Sequence, residues 1–211
     1  HLKEIILPRT IKKIGNYAFY NCFELNTIRF YSTIEDVGSG LFTGCTGIRH
    51  MDIHIVPGCR SCFKEVISEL RQELYVNYYA EPEAKAEEPV LQAKLVFPEM
   101  FEESVENTPA RIIMREMHGC GHMYRYCFEQ TEFRFSKYDA LLPHIKVQEP
   151  ERVVCALVMG RLKYPVELTE QYRGTYEEYL REHMAGAAEY ALTAGDMAVS
   201  YTHLRAHETV L

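Results

Sequence analysis

Apolar residues in the first fifty-odd positions fall into columns rather than into one helical or alternating stripe. Leu2, Leu25 and Ile48, then Ile5, Ile28 and Met51, then Leu7, Phe30 and Ile53 are each spaced by 23 positions. Ile14 and Val37, Gly15 and Gly38, Phe19 and Phe42, and Cys22 and Cys45 keep the same step of 23. The stretches "IGNYAFYNC" at 14–22 and "VGSGLFTGC" at 37–45 are therefore one structural unit written twice. A fixed period of this length is what a stacked solenoid requires, because each coil places the same offset in the same layer of a shared core. Ile5 and Leu7, Ile28 and Phe30, and Met51 and Ile53 alternate with outward neighbours, which predicts short strands with one face inward. The outward columns are Glu4, Thr27 and His50; Ile6, Arg29 and Asp52; and Pro8, Tyr31 and His54.

Other columns have their own expected roles. Gly15 and Gly38 suit a turn with positive φ or a close backbone approach. Phe19 and Phe42 are expected to stack, and Cys22 and Cys45 to fill the core as small apolar groups. Adjacent coils lie close enough for a disulfide between these two cysteines to be geometrically conceivable.

The unit reads L-x-x-I-x-L-P-x-x-I-x-x-I-G-x-x-A-F-x-x-C, and over residues 2–55 it resembles the BspA-like, or treponemal, class of leucine-rich repeats. Leu41 in place of Ala18 and Tyr31 in place of Pro8 blur the second coil without breaking its frame. The resemblance implies a solenoid in a bacterial protein, with surface or secreted adhesion as the role of some relatives. Solenoids need about three coils plus caps to bury a continuous core, so further coils are expected ahead of His1.

Beyond Ile53 the frame is lost, since positions 61, 65 and 68 hold Ser61, Glu65 and Ser68. Phe63, Val66, Ile67, Leu70 and Leu74 follow helical spacing and predict a helix capping the stack. Next, "ELYVNYYA" and "VLQAKLVF" predict a β-hairpin around the acidic loop "EPEAKAEEP". From Pro98 the pattern reads as mainly helical. One helix is predicted from Glu149-Pro150 to the stop at Pro165, and a second from about Leu168, with Tyr172, Tyr176, Leu180, Met184, Ala187 and Ala191 on one face, as an antiparallel pair. The expected class is α+β: a leucine-rich-repeat solenoid end at 1–55, then a 56–198 domain of capping helix, β-hairpin and helices. The last stretch, "VSYTHLRAHETVL" at 199–211, resembles translated sequencing-adapter DNA and is set aside, together with its His203 and His207 pair.

Composition narrows the function classes. A formal net charge of −7 opposes phosphate backbones, and no basic cluster interleaved with aromatics offsets it, so nucleic acid is not an expected partner. The most apolar run, "VVCALVMG" at 153–160, is far short of the ~20 residues that cross a bilayer. Seven cysteines leave at least one thiol unpaired. The compartment stays open between the cytoplasm and, with an export signal ahead of His1, the cell surface.

Candidate chemistry is confined to "MHGCGHMYRYC", which gathers His118, Cys120, His122 and Cys127. Imidazoles and thiolates are zinc ligands, and Cys59-x-x-Cys62 supplies a common half-site, although the spacing fits no recognised zinc module. Cys120 beside His118 or His122 also has the residue types of a thiol nucleophile and its base. Cys59 and Cys62 lack the βαβ setting of a redox pair. The expectation is non-catalytic, cofactor-free recognition of a protein through Ile6, Arg29, Tyr31, Asp52 and His54. The plainer alternative for Arg29 and Asp52 is that they pair across adjacent strands.

Overall fold

The computed structural model describes residues 2–82, 88–107 and 112–194. The tail at 199–211, with His203 and His207, and most of the acidic loop lie outside the described residues. Three strands carry the repeat: β1 (Glu4–Ile6), β3 (Thr27–Tyr31) and β5 (His50–Ile55). They pair in parallel, with Glu4 opposite Thr27 and Thr27 opposite His50, so the sequence period of 23 is the register of the sheet. A second parallel ladder joins β2 (Lys13–Ile14) to β4 (Asp36–Val37) with the same offset. Phe19 stacks on Phe42 at 5.6 Å, and the Cys45 thiol donates to the Phe19 carbonyl at 2.8 Å. All seven cysteines are free, so the conceivable Cys22–Cys45 disulfide does not form.

The glycine column answers only half of its expected role. A Cβ on Gly38 would lie 2.7 Å from Asn16 Cα in the coil beneath, whereas one on Gly15 would meet nothing within 4 Å. Positive φ falls instead on Tyr17 and Gly40, and on Asn21 and Gly44, two pairs that keep the coil-to-coil offset. The left-handed turn thus recurs with the repeat although its residue type does not.

After β5, the short helix α1 (Phe63–Ser68) buries Phe63, Val66 and Ile67. Leu74, expected on that helix, opens β6 (Leu74–Ala80), which pairs in parallel with β5 by setting His50 against Tyr75. The stack therefore gains a further coil two residues longer than the others, with α1 on its return side. β7 (Val90–Phe97) then turns back antiparallel as the expected hairpin, giving a five-stranded sheet in the order β1-β3-β5-β6-β7. The Tyr138 hydroxyl donates to the Val96 carbonyl and accepts from the Val96 N–H, both at 2.7 Å, satisfying backbone groups on this edge strand.

The mainly helical expectation from Pro98 fails at first. β8 (Phe101–Asn107) and β9 (Ile112–His118) form an antiparallel hairpin that sets Phe101 opposite His118, although neither run shows the strict apolar–polar alternation that marks a strand in sequence. Then come α2 (Gly121–Arg125), a small ladder of β10 (Phe128–Glu129) with β11 (Glu132–Phe133), α3 (Phe135–Asp139) and α4 (Leu142–Gln148). α5 (Glu151–Lys163) matches its expected span and is buried along most of its length. The helix expected after Leu168 is two, α6 (Glu170–Glu182) and α7 (Met184–Thr193), broken where His183 leaves helical dihedrals and stacks on Tyr179 at 4.1 Å. Among the described residues no helix is long and apolar enough to cross a membrane.

One continuous hydrophobic core runs from Ile14 through Phe30, Phe63 and Phe97 to Tyr176. Within it, Arg161 makes a fully buried two-point pair with Asp139, both bonds at 2.8 Å, and Asp139 also accepts from the Tyr176 hydroxyl at 2.8 Å. Arg125 is buried without such a pair. Its guanidinium donates to the carbonyls of Leu70, Pro98, Gly121 and Gln72 at 2.6–2.9 Å, joining the last coil to the region that follows.

Candidate binding face and its adjoining cavity

Parallel in-register pairing carries each outward column across the sheet as a row of side chains. The added coil extends the first row to Tyr75, the second to Asn77 and the third to Tyr79. In the second row, Arg29 donates from Nε and Nη2 to Asp52 Oδ2 at 3.1 and 3.0 Å, and Asn77 Nδ2 donates to Asp52 Oδ1 at 2.9 Å. The Asp52 hydrogen bond holds the Arg29 guanidinium even more firmly charged than usual. Asp52 is mostly covered, with a side chain 13% exposed, while Arg29 remains 39% exposed. Arg29 is thus the presented group and Asp52 its anchor. At that exposure the pair itself contributes only about 0.2–1 kcal/mol. Ile6 continues the row and is 53% exposed.

The third row is an aromatic ladder. The His54 ring lies 4.8 Å from Tyr31 and 4.7 Å from Tyr79, on which it stacks at 9°. These spacings follow from the strand separation of about 4.8 Å, which seats rings of one column on each other. His54 Nδ1 meets Glu81 Oε1 at 2.6 Å, and the imidazole is buried. Tyr31 is half-buried, and His54 on the neighbouring strand packs against its ring. In the first row, His50 lies 5.9 Å from Tyr75, whose hydroxyl donates to Glu73 at 2.7 Å. Arg152 holds that carboxylate with bonds of 2.8 and 2.9 Å, which ties the start of α5 to the sheet.

Where α5 and α7 rise beside the sheet, a cavity of about 440 Å³ opens against His50, Tyr75, Asn77 and Lys94 on the strand side. Met159, Lys163 and Tyr190 line it from the helices. A Cβ on Gly160 would lie 2.7 Å from the Lys94 carbonyl, so this glycine lets α5 sit close on β7.

The alternative Cys and His cluster is dispersed. His118 Nε2 lies 3.3 Å from Glu103, and His122 Nδ1 lies 3.0 Å from the Gly119 carbonyl. Cys120 is fully buried and donates to Glu149 at 3.3 Å, while Cys127 donates to the Met123 carbonyl at 3.5 Å. Burial, with Glu149 beside it, pushes the Cys120 thiol up to about 12, opposite to the depression a nucleophile needs. Burial also pushes Cys62 and Cys127 up to about 12. Among the described residues no group of three or more His, Cys, Asp or Glu is placed to hold a metal ion.

Asn77, Tyr79 and Glu81 escaped sequence reasoning because the last coil is two residues longer. Their one signal was the alternation of Tyr75, Asn77 and Tyr79 in "ELYVNYYA". The cavity had no sequence signal, because its walls come from segments far apart in the chain.

Residues 1–70 match the BspA type leucine rich repeat region (6 copies). The stacked coils are thus a repeat region of that type, as the residue columns implied. Such regions commonly mediate protein interactions and are generally non-catalytic, which supports a binding role. No curated protein and no solved structure matches the chain.

Proposed function

We propose that the BspA-type leucine-rich repeat region of residues 1–70 recognises a protein partner through the outer face of its parallel strands. Ile6, Arg29 and Tyr31 are the contact residues, with Asp52 and His54 as the groups that position them. The supporting observation is the fixed geometry of Arg29, held at two points by an Asp52 carboxylate whose other oxygen is taken by Asn77. A guanidinium and an aromatic ring ordered before binding lose little conformational entropy on association, and both are favoured anchor types at interfaces. In this reading the α+β region at 56–198 closes the stack and stiffens the platform, and no catalytic step is involved.

The test is quantitative affinity capture with the full chain as bait. Proteins retained by the parent chain should be lost with Arg29→Glu and Tyr31→Ala and kept with Lys12→Ala, which alters only an exposed ion pair to Glu35 outside the outward rows. Capture unchanged by Arg29→Glu and Tyr31→Ala would remove the strand face from consideration.

A further inference from the structure

We propose that Cys22 and Cys45 form a redox-responsive pair that closes reversibly into a disulfide and pins the first coil to the second. All seven thiols are free, so the fold described above is that of the reduced protein. In that form the two cysteines occupy the same place in successive coils: the Cys22 N–H donates to the Phe19 carbonyl at 3.2 Å, and the Cys45 N–H to the Phe42 carbonyl at 2.8 Å. The coils are locked in register just ahead of them, where the Phe19 and Asn21 N–H groups donate to the Leu41 and Thr43 carbonyls at 3.1 and 2.9 Å. The Cys45 thiol turns toward the first coil and donates to the Phe19 carbonyl, the atom that also accepts the Cys22 N–H. The Cys22 side chain reaches the same thiol as a hydrogen-bond partner.

A coil spacing of about 4.8 Å falls inside the separation of roughly 4.4–6.8 Å between Cα atoms that a disulfide spans. Side chains related by one coil run parallel, so their Cβ atoms must approach slightly to reach the roughly 3.5–4.5 Å of a disulfide. A fit that is close but not ideal gives a bond that is readily reduced again, the property of regulatory rather than structural disulfides. Exposure divides the roles: Cys22 is half-buried and meets the oxidant, whereas Cys45 is buried and closes the bond. With a small-molecule disulfide such as oxidised glutathione, the Cys22 thiolate attacks one sulfur and releases one glutathione thiolate. Cys45, on losing its proton, then attacks the Cys22 sulfur and releases the second. Two protein thiols lose two electrons, one glutathione disulfide gains them, and the two protons end on the two glutathione thiols. The bond ties down the less covered of the two coils: Ile5, Leu7 and Phe19 are half-buried, while Ile28, Phe30 and Phe42 one coil on are buried.

Neither thiol belongs to the outward rows, so the test is independent of the strand-face reading. Reduced full-length protein is equilibrated with oxidised glutathione in native buffer and, separately, in concentrated urea; remaining thiols are then alkylated under denaturing conditions. Trypsin releases residues 14–29 and 30–49 as separate peptides with one cysteine each, so mass spectrometry identifies the cross-link directly. In the native, monomeric chain this cross-link is expected to be the main disulfide and to vanish with dithiothreitol. Its yield should exceed by about threefold or more that in urea, where loop length exerts little selection among seven thiols. Cys45→Ser should leave Cys22 carrying glutathione, and Cys22→Ser should leave Cys45 a free thiol. A glutathione adduct on Cys22 of the parent without the cross-link, a cross-link found only between two chains, or a native yield no higher than that in urea would overturn the pair. All three of these readouts use the unaltered protein.

Discussion

Replacing Arg125 by methionine removes a buried guanidinium while keeping a side chain of similar length in the core. Four backbone carbonyls, from Leu70, Gln72, Pro98 and Gly121, then lose their donor. Hydrogen bonds from a charged group contribute about 1.5–3 kcal/mol each, so the gross loss is about 6–12 kcal/mol. Against it stands relief from desolvating the guanidinium, several kcal/mol for a buried ion. That burial pulls the Arg125 guanidinium down to about 10, still charged at neutral pH. The net expectation is destabilisation of about 3–5 kcal/mol, what remains of that gross loss after the relief, with four carbonyls left unsatisfied at about 1–3 kcal/mol each. Arg125→Lys keeps the charge but not the planar fork and should recover part of the loss. The chain has no tryptophan, so urea unfolding is best followed by far-ultraviolet circular dichroism. A loss below about 1 kcal/mol for Arg125→Met, within the range of one ordinary hydrogen bond, would refute Arg125 as the joint between the last coil and the region after it.

Gly38→Ala should destabilise by about 1–3 kcal/mol because its Cβ runs into the Asn16 backbone, whereas Gly15→Ala should be near neutral; paired urea titrations compare them. Asp139→Asn strands the fully buried Arg161 and weakens the Tyr176 contact, with an expected cost of about 3–5 kcal/mol by the same titration. The thiols of Cys62, Cys120 and Cys127 stay protonated up to about 12 in the fold but ionise near 9.0 once unfolded. Between those values the unfolded chain holds fewer protons than the folded one, so stability falls as pH rises through 9.0, and urea midpoints at pH 7.5 and 10 should show it.

The repeat was legible because stacking forces chemistry into columns: Ile28 and Met51 share a layer, and a shared layer admits only apolar residues. The strand face followed from the same alternation, including the Arg29–Asp52 pairing. Legibility ended where geometry stopped depending on local sequence. Two added residues hid the coil ending in Tyr75, Asn77 and Tyr79, and left Leu74 looking like part of a helical stripe. The left-handed turns escaped because Tyr17 and Asn21, whose backbone N–H groups donate to the Ser39 and Thr43 carbonyls of the next coil, take the conformation that Gly40 and Gly44 adopt without strain. In "MHGCGHMYRYC" the histidines and cysteines drew attention as possible ligands, but the residue that organises the structure there is Arg125. Its partners are carbonyls, which leave no mark on side-chain identity, and three of the four come from outside that motif.

The most direct measurement on the strand face is the affinity of a captured partner for the parent chain, Arg29→Glu, Tyr31→Ala and Lys12→Ala. Recognition by the outward rows predicts binding weaker by about tenfold or more for Arg29→Glu and Tyr31→Ala, as expected when an interface anchor is lost, and unchanged for Lys12→Ala. Parent-like affinity for both face variants, with circular dichroism showing all four proteins folded, would contradict it.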